Sequence, residues 1–233
     1  MKNQSENKVY TLAEVLGKHT IAELKQMTQV LEVKVLSKAK KQEIIDALSA
    51  KLLDKELLTA WLLAAGKQEI EELELAMAED VVIAEESGRF YYWRNLPVVF
   101  VTGDGVVVVP SETAAVYNEI KSDSEYAAKR ARIDVIDEYL MACVNLYRAI
   151  DITTFLSIVN GQTGLNAKRP ELESWLKDRE AVRGQQMYFF EGGYILSEEY
   201  RTKKEGEVVD YHQLLERQGA MSYYIPAKSE LLR

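Results

Sequence analysis

The stretch that decides how the first fifty residues fold reads Ser37-Lys38-Ala39-Lys40-Lys41-Gln42-Glu43-Ile44-Ile45-Asp46-Ala47-Leu48. Its apolar residues recur at the spacing of one helix face and a serine precedes them, so the pattern predicts a helix that begins at Ser37. Three lysines then fall in the first turn, where the helix dipole disfavours each cation by roughly 0.3–1 kcal/mol. Orphan N–H groups beside clustered lysines are typical of a phosphate-binding site. The stretch therefore indicates contact with a polyanion.

Two shorter helices are predicted before this stretch. Thr11 and Glu14 have the spacing of a capping box, and so have Thr20 and Glu23. The apolar residues that follow the second threonine have helical spacing and are Ile21, Leu24, Met27 and Leu31. The sequence therefore predicts a small three-helix head over residues 1–53.

Residues 54–121 predict helices followed by a β-hairpin. Apolar residues at helical spacing extend over 54–79. The valine-rich stretch Val98–Val109 is interrupted by Gly103-Asp104-Gly105, which predicts two strands joined by a tight glycine turn. A short helix from Ser111 to Ile120 is expected next. Helices followed by a hairpin are the element order of a winged helix, so a winged-helix-like unit is expected here.

Residues 122–233 repeat this order of elements. The first predicted elements are a long helix over about 125–148 opened by a capping box at Ser122, a helix over 152–159 capped by Asp151, and a loop at 160–164. A helix from Pro170 to Val182 and a hairpin that turns at Gly192-Gly193 follow. The last predicted elements are a short helix over 210–218 and an extended end at Tyr223–Pro226. The expected fold class is thus mainly α with small β-hairpins (α+β), with two winged-helix-like units after the head.

Charge is distributed unevenly along the chain. Residues 1–53 carry a net charge of +3 and residues 54–233 a net charge of −11, within a total of −8. An acidic body repels polyanions, so any nucleic-acid contact is expected in the head alone. No apolar run reaches the roughly 18 residues that span a bilayer, and the polar start lacks the apolar core of a signal peptide. A cytoplasmic location is therefore expected.

Two further clusters admit two interpretations each. Phe90-Tyr91-Tyr92-Trp93, flanked by arginines, is compatible with base stacking on a single strand or with the core beneath the hairpin, and the core is favoured. Lys129-Arg130-Ala131-Arg132 is compatible with a second anion site or with salt bridges inside the chain, and salt bridges are favoured.

Catalytic and metal sites find little support in the sequence. His19 and His212 are the two histidines, and no Cys/His cluster is present. Cys143 is the single cysteine, which excludes an internal disulfide, and its apolar helical surroundings predict a buried, inert thiol. No phosphate-binding loop of the Gly-x-x-x-x-Gly-Lys-Ser/Thr type occurs. We therefore expect no enzyme, no metal and no cofactor.

Residues Ile21–Leu48 resemble the N-terminal, SAP-like domain of the bacterial transcription terminator Rho. The resemblance covers about thirty residues and rests on Ile21-Ala22-Glu23-Leu24, Leu31-Glu32-Val33-Lys34 and the stretch from Ser37 to Leu48. The family usually has a glycine in the loop before the serine, where this chain has Val35 and Leu36. The resemblance implies binding of DNA or RNA through the start of the third helix.

The residues expected to contact nucleic acid follow from this resemblance and from the lysine cluster. Lys38, Lys40 and Lys41 would supply charge, Ser37 and the helix N-terminus would supply hydrogen bonds, and Lys25 and Lys34 would extend the patch. Few phosphates are neutralised, so binding is expected to be weak and sensitive to salt.

The expected function is that of a non-catalytic nucleic-acid-associated protein, with a role in transcription regulation or termination. Its acidic body would bind a protein partner. The alternative is a protein–protein interaction adaptor that binds no nucleic acid.

Overall fold

Helices dominate the chain, and two small antiparallel sheets accompany them. The structure is a computed structural model that describes residues 9–84, 87–183, 188–200, 216 and 224–232. The α+β class predicted from the sequence is confirmed. Within the described residues, no helix combines the length and the apolar composition that crossing a membrane requires.

The chain divides into two units, Met1–Ala128 and Lys129–Arg233. The elements of the first unit are α1 (Leu12–Gly17), α2 (Ile21–Val30), α3 (Lys41–Leu52), α4 (Lys55–Ala64), α5 (Lys67–Ala78), β1 (Val81–Val82), α6 (Tyr91–Asn95), β2 (Phe100–Val101), β3 (Val106–Val108) and α7 (Ser111–Lys121). The long helix α8 (Ser124–Tyr147) begins in the first unit and continues into the second. The second unit continues with β4 (Ala149–Asp151), α9 (Ile152–Thr163), α10 (Arg169–Arg183), β5 (Tyr188–Glu191), β6 (Tyr194–Ser197), a 3-10 turn (Glu198–Tyr200) and α11 (Lys228–Leu231).

The first two helices begin where the capping-box pattern predicts. The Thr11 hydroxyl accepts the N–H of Glu14 at 3.2 Å, and the Glu14 carboxylate accepts the N–H of Thr11 at 2.7 Å. Thr20 and Glu23 form the same reciprocal pair at the start of α2. Both pairs satisfy N–H groups that have no partner within the helix. α1, α2 and α3 lie within residues 1–53, the stretch that we call the head.

The first sheet contains the predicted valine hairpin. β2 and β3 pair antiparallel, and β1 pairs with the other edge of β3, so the strand order is β1-β3-β2. Gly105 lies in the turn with a φ of +81°, and a Cβ atom there would lie 2.7 Å from the carbonyl oxygen of Ile83. Only glycine fits this backbone without strain. The hairpin thus depends on Gly105, the turn glycine that approaches Ile83, and not on Gly103.

The aromatic stretch before the hairpin belongs to the core, as favoured above. Phe90, Tyr92 and Trp93 are buried, whereas Tyr91 is exposed. The Tyr92 hydroxyl donates to the carbonyl oxygen of Trp61 at 2.6 Å, so its one polar group is satisfied. Three of the four rings are therefore unavailable for base stacking.

The second unit packs α8, α9 and α10 around the sheet β4-β6-β5. Its core includes Ile136, Leu140, Val144, Phe155, Val159, Leu172, Leu176 and Ile195. Asp151 caps α9 by accepting the N–H of Thr154 at 2.9 Å, as predicted. The glycine turn at Gly192-Gly193 joins β5 to β6, also as predicted.

Three details of the second unit differ from the prediction or lie beyond the description. The loop predicted at 160–164 is wrong, because α9 continues to Thr163 and ends at Gly164 with a φ of +71°. Asp123, and not Ser122, accepts the first N–H groups of α8, those of Glu125 and Tyr126. The predicted helix over 210–218 and Tyr223 lie outside the described residues, apart from Glu216.

Candidate nucleic-acid interface

The third helix of the head begins at Lys41, so the predicted start at Ser37 is wrong. Lys40 is the N-cap residue, and its N–H donates to the Glu43 carboxylate at 2.7 Å. An acid three residues after the cap can reach back to the cap amide, and Glu43 has that spacing from Lys40. Ser37 lies instead in an exposed turn that is closed by a bond from the N–H of Ala39 to the carbonyl oxygen of Leu36 at 2.9 Å.

This start changes the electrostatic basis of the site. Lys38 and Lys40 precede the helix, and Lys41 is the one of the three lysines that lies in its first turn. Glu43 already places a carboxylate at the N-terminus, where the helix dipole favours an anion. The conflict between lysines and dipole is thus smaller than the sequence indicates, and the lysine side chains become the main feature of the site.

Two of the lysines bind backbone carbonyls and thereby fix the geometry of the head. The Lys25 ammonium donates to the carbonyl oxygen of Ser37 at 3.2 Å, which joins α2 to the loop before α3. The Lys41 ammonium donates to the carbonyl oxygen of Gly17 at 2.6 Å, at the C-terminal end of α1. A cation at that end of a helix is favoured by the dipole.

The beginning of the same loop is anchored at Thr28. The N–H of Val33 donates to the carbonyl oxygen of Thr28 at 2.8 Å. The buried Thr28 hydroxyl donates to the carbonyl oxygen of Lys25 at 2.7 Å. Leu36, in the middle of the loop, is 80 % exposed. The loop between α2 and α3 is thus held at both ends and presents its middle to solvent.

Charge on this loop is available to a ligand. Lys34, Lys38 and Lys40 are exposed, and Lys25 and Lys41 are partly buried. Within the part of the chain that the structure describes, none of these five ammonium groups lies within 4.0 Å of a carboxylate. The structure thus gathers all five predicted lysines and Ser37 around one loop, which we call the lysine loop (residues 33–41).

Two arginines of the second basic cluster, Lys129-Arg130-Ala131-Arg132, form salt bridges inside the chain, which is the interpretation that the sequence favours. Arg130 lies 2.6 Å from the Asp134 carboxylate. Arg132 binds Glu171 through two hydrogen bonds of 2.6 and 2.8 Å, and it also donates to the carbonyl oxygen of Leu165. The guanidinium of Arg132 lowers the pKa of Glu171, so this pair is ionised at neutral pH. These two arginines are engaged with acids, unlike the lysines of the lysine loop.

Sequence reasoning missed three features of the site. Gly17 contributes a carbonyl acceptor, Glu43 caps the third helix, and Leu36 projects from the loop. The spacing of Lys40 and Glu43 was the available signal for the helix start. The contact of Lys41 with Gly17 has no local signal, because the two residues are 24 positions apart.

No group of three or more His, Cys, Asp or Glu side chains that could hold a metal ion occurs among the described residues. Cys143 is buried, as predicted, and burial raises the pKa of its thiol to about 12. The chain matches no family model, no curated protein and no solved structure.

Proposed function

We propose that this protein is a non-catalytic nucleic-acid-associated protein whose lysine loop contacts phosphates, with a role in transcription regulation or termination. Lys34, Lys38 and Lys40 supply mobile charge on the exposed side of the loop. Lys25 and Lys41 hold the backbone and add to the local positive potential. The resemblance of Ile21–Leu48 to the SAP-like domain of Rho supports the same role.

One observation carries this proposal: five lysines surround one anchored loop, and no carboxylate of the described residues neutralises them. Cations in an acidic protein readily find acidic partners, as Arg130 and Arg132 do here. A local excess of positive charge on a protein of net charge −8 attracts a polyanion at close range. Among the described residues, no salt bridge has to break before these ammonium groups bind an anion.

The expected affinity is modest. Each phosphate neutralised on duplex DNA contributes about −0.9 to the slope of log K against log salt concentration, and about −0.7 on a single strand. Three to five lysine contacts therefore correspond to a slope of roughly −2.7 to −4.5 on duplex DNA. A role as an accessory contact of a larger assembly suits such an affinity.

The test is a charge reversal that leaves the loop anchors intact. Labelled duplex DNA and labelled single-stranded RNA are titrated into the wild type, into Lys38→Glu/Lys40→Glu and into the matched control Lys67→Glu/Lys177→Glu, at several salt concentrations. Lys67 and Lys177 are exposed lysines outside the head. Lys41 is left unchanged because it binds the Gly17 carbonyl oxygen.

We expect the head variant to lose at least tenfold in affinity at low salt and to show a flatter salt dependence, while the control stays within about twofold of the wild type. Equal binding by all three proteins, or no binding by any, would reject the proposal and favour the adaptor. The probe that binds more tightly identifies DNA or RNA as the natural class of ligand.

Residues 54–121 and residues 122–233 are each proposed to be winged-helix-like. For residues 122–233, support comes from the element order α8-β4-α9-α10-β5-β6 with strand order β4-β6-β5. In a DNA-binding winged helix, the helix before the hairpin reads the groove. That helix here is α10, which carries four basic and four acidic residues, and Arg169 on it lies 2.8 Å from Glu173. A helix with equal numbers of basic and acidic residues favours a protein partner over a polyanion for this part of the chain.

A further inference from the structure

The first unit contains an open groove of about 670 Å³ that the proposed nucleic-acid contact does not use. The strand segment Val106–Val109 is among its lining residues, and we call this segment the floor. Ala114 and Ala115 of α7, Ala76 and Met77 of α5, and the polar residues Thr102, Ser111 and Asn118 also line the groove. Pockets of about 300–1,000 Å³ are the usual size for sites that bury a ligand. Alanine side chains on α7 leave width for the side chains of an occupant.

The rim of the groove is acidic. Glu79, Asp80 and Asp104 line it and are exposed, and no lysine or arginine is found among its described lining residues. The hydrogen bond from the Thr102 hydroxyl and, more weakly, the charge of Lys18 lower the pKa of Asp104, so its carboxylate is ionised at neutral pH. The groove therefore combines an apolar floor with a negative rim.

The charge and the shape together define the chemistry of an occupant. A nucleic acid is excluded because its phosphates would face three carboxylates. An extended peptide points successive side chains to opposite sides, so a segment that alternates basic and small apolar residues can place one set on the floor and the other at the rim. The four floor residues span about 10 Å at the rise of a β-strand, enough for the central residues of such a segment.

We propose that the groove between α5, β3 and α7 binds an extended segment of a partner protein in which lysine or arginine alternates with small apolar residues. The apolar side chains lie between Ala114 and Met77, and the cations lie beside Glu79, Asp80 and Asp104. The segment thus binds a surface other than the lysine loop, so that one chain can hold a nucleic acid and a basic partner at the same time.

The test uses the full chain and a labelled octapeptide in which lysine and valine alternate, with binding followed by fluorescence anisotropy at low salt. Two control peptides replace every lysine by glutamate or every valine by serine. Ala114→Leu fills the groove and Glu79→Lys reverses one rim charge. The matched controls are Ala131→Leu, at an exposed alanine of α8, and Glu71→Lys, at an exposed glutamate of α5 that does not line the groove. Circular dichroism confirms that each variant is folded.

We expect both groove variants to weaken binding of the lysine–valine peptide at least tenfold and both controls to change it less than twofold. Equal binding by all variants would show a diffuse attraction to an acidic protein and would overturn the proposal. Binding of the lysine–serine peptide as tightly as the lysine–valine peptide would overturn it too, because the floor would then contribute nothing.

A second copy of the chain is the competing occupant, since its head also carries lysines. Sedimentation velocity decides this case: a wild-type dimer that Ala114→Leu dissociates, together with absent peptide binding, replaces the proposed partner with self-association. The inference stands apart from the proposed function, because Lys38→Glu/Lys40→Glu is expected to bind the peptide as the wild type does. Loss of peptide binding in that variant would contradict the assignment to this groove.

Discussion

The ammonium group of Lys25 donates a hydrogen bond to the carbonyl oxygen of Ser37 at 3.2 Å. The two residues are 12 positions apart, and the bond connects α2 with the turn at the tip of the lysine loop. A flexible side chain thereby restrains a segment that has no regular secondary structure. The presentation of Lys38 and Lys40 depends on this contact.

Lys25→Met is expected to loosen the lysine loop without unfolding the head. Loss of one hydrogen bond, worth about 1 kcal/mol, corresponds to roughly fivefold faster local opening. The measurement is amide hydrogen exchange at Ala39, whose N–H donates to the Leu36 carbonyl oxygen within the turn. Lys67→Met is the control at an exposed lysine of α5. Unchanged exchange at Ala39 in Lys25→Met would show that the contact does not restrain the loop.

Local rules predicted the elements of this fold well and their ends less well. The starts of α1 and α2 were predictable because Thr11 and Thr20 each have a glutamate three residues later, and the interaction is complete within four residues. The predicted start of α3 is wrong because Ser37 is of a residue type that commonly caps helices, whereas the N-cap residue is Lys40. Lysine has no acceptor oxygen, so Lys40 gives no capping signal of its own, although Glu43 binds its amide.

Tertiary contacts account for what the sequence could not predict. The sequence predicts that a loop begins at Asn160. In the structure, the Asn160 side chain accepts the N–H of Ala167 and donates to the Ala167 carbonyl oxygen. These bonds anchor the chain that follows α9 and let the helix continue through Gly161. The lysine loop was equally hard to predict in full, because the carbonyl partners of Lys25 and Lys41 are 12 and 24 positions away along the chain. The acidic groove is likewise formed by segments that are far apart in sequence.

The turn glycines of the first hairpin are expected to differ in their tolerance of alanine. Gly105→Ala introduces a Cβ atom 2.7 Å from the Ile83 carbonyl oxygen at a φ of +81° and is expected to cost about 1–3 kcal/mol of unfolding free energy. Gly103→Ala meets no atom within 4 Å and is the matched control. Urea denaturation measures both. A loss of the same size at Gly103 would contradict the assignment of the strain to Gly105.

The buried pair of Asp137 and Arg179 is expected to be essential for the stability of the second unit. Their side chains are 13 % and 5 % exposed, and Arg179 donates from both terminal nitrogens to the Asp137 carboxylate. Asp137→Ala leaves a buried cation without its carboxylate and is expected to cost about 3–5 kcal/mol. Glu173→Ala, which removes the surface partner of Arg169, is expected to cost less than about 1 kcal/mol. Chemical denaturation compares them, and similar small losses would show that the pair is replaceable.

The pair of Glu171 and Arg132 is expected to make stability depend on pH in the acidic range. The pKa of Glu171 is lowered in the folded protein, chiefly by the hydrogen bonds from Arg132. The unfolded chain therefore takes up this proton at a higher pH than the folded one, and the contribution is present above about pH 4.5 and lost as the pH falls through the folded pKa. Because the site is half-exposed, the contribution of this pair to the free energy of unfolding is at most about 1 kcal/mol.

Glu171→Gln removes that titration. The difference in unfolding free energy between the wild type and Glu171→Gln is expected to shrink as the pH falls from about 6 to 3. Urea denaturation at each pH measures it, and Glu180→Gln, on the same helix α10, is the comparison variant. A difference that stays constant over this range would mean that Arg132 does not hold Glu171 in its ionised form.

The thiol of Cys143 is expected to be unreactive in the native protein. It is fully buried in the core of the second unit, and burial raises its pKa to about 12, so the reactive thiolate is scarce even at pH 9. Iodoacetamide followed by mass spectrometry should leave the native chain unmodified at pH 8 and should alkylate the same position completely in urea. Because reagent access and ionisation both require opening of the core, Asp137→Ala should accelerate alkylation and Glu173→Ala should not. Rapid alkylation of the native wild type would show that this core opens readily.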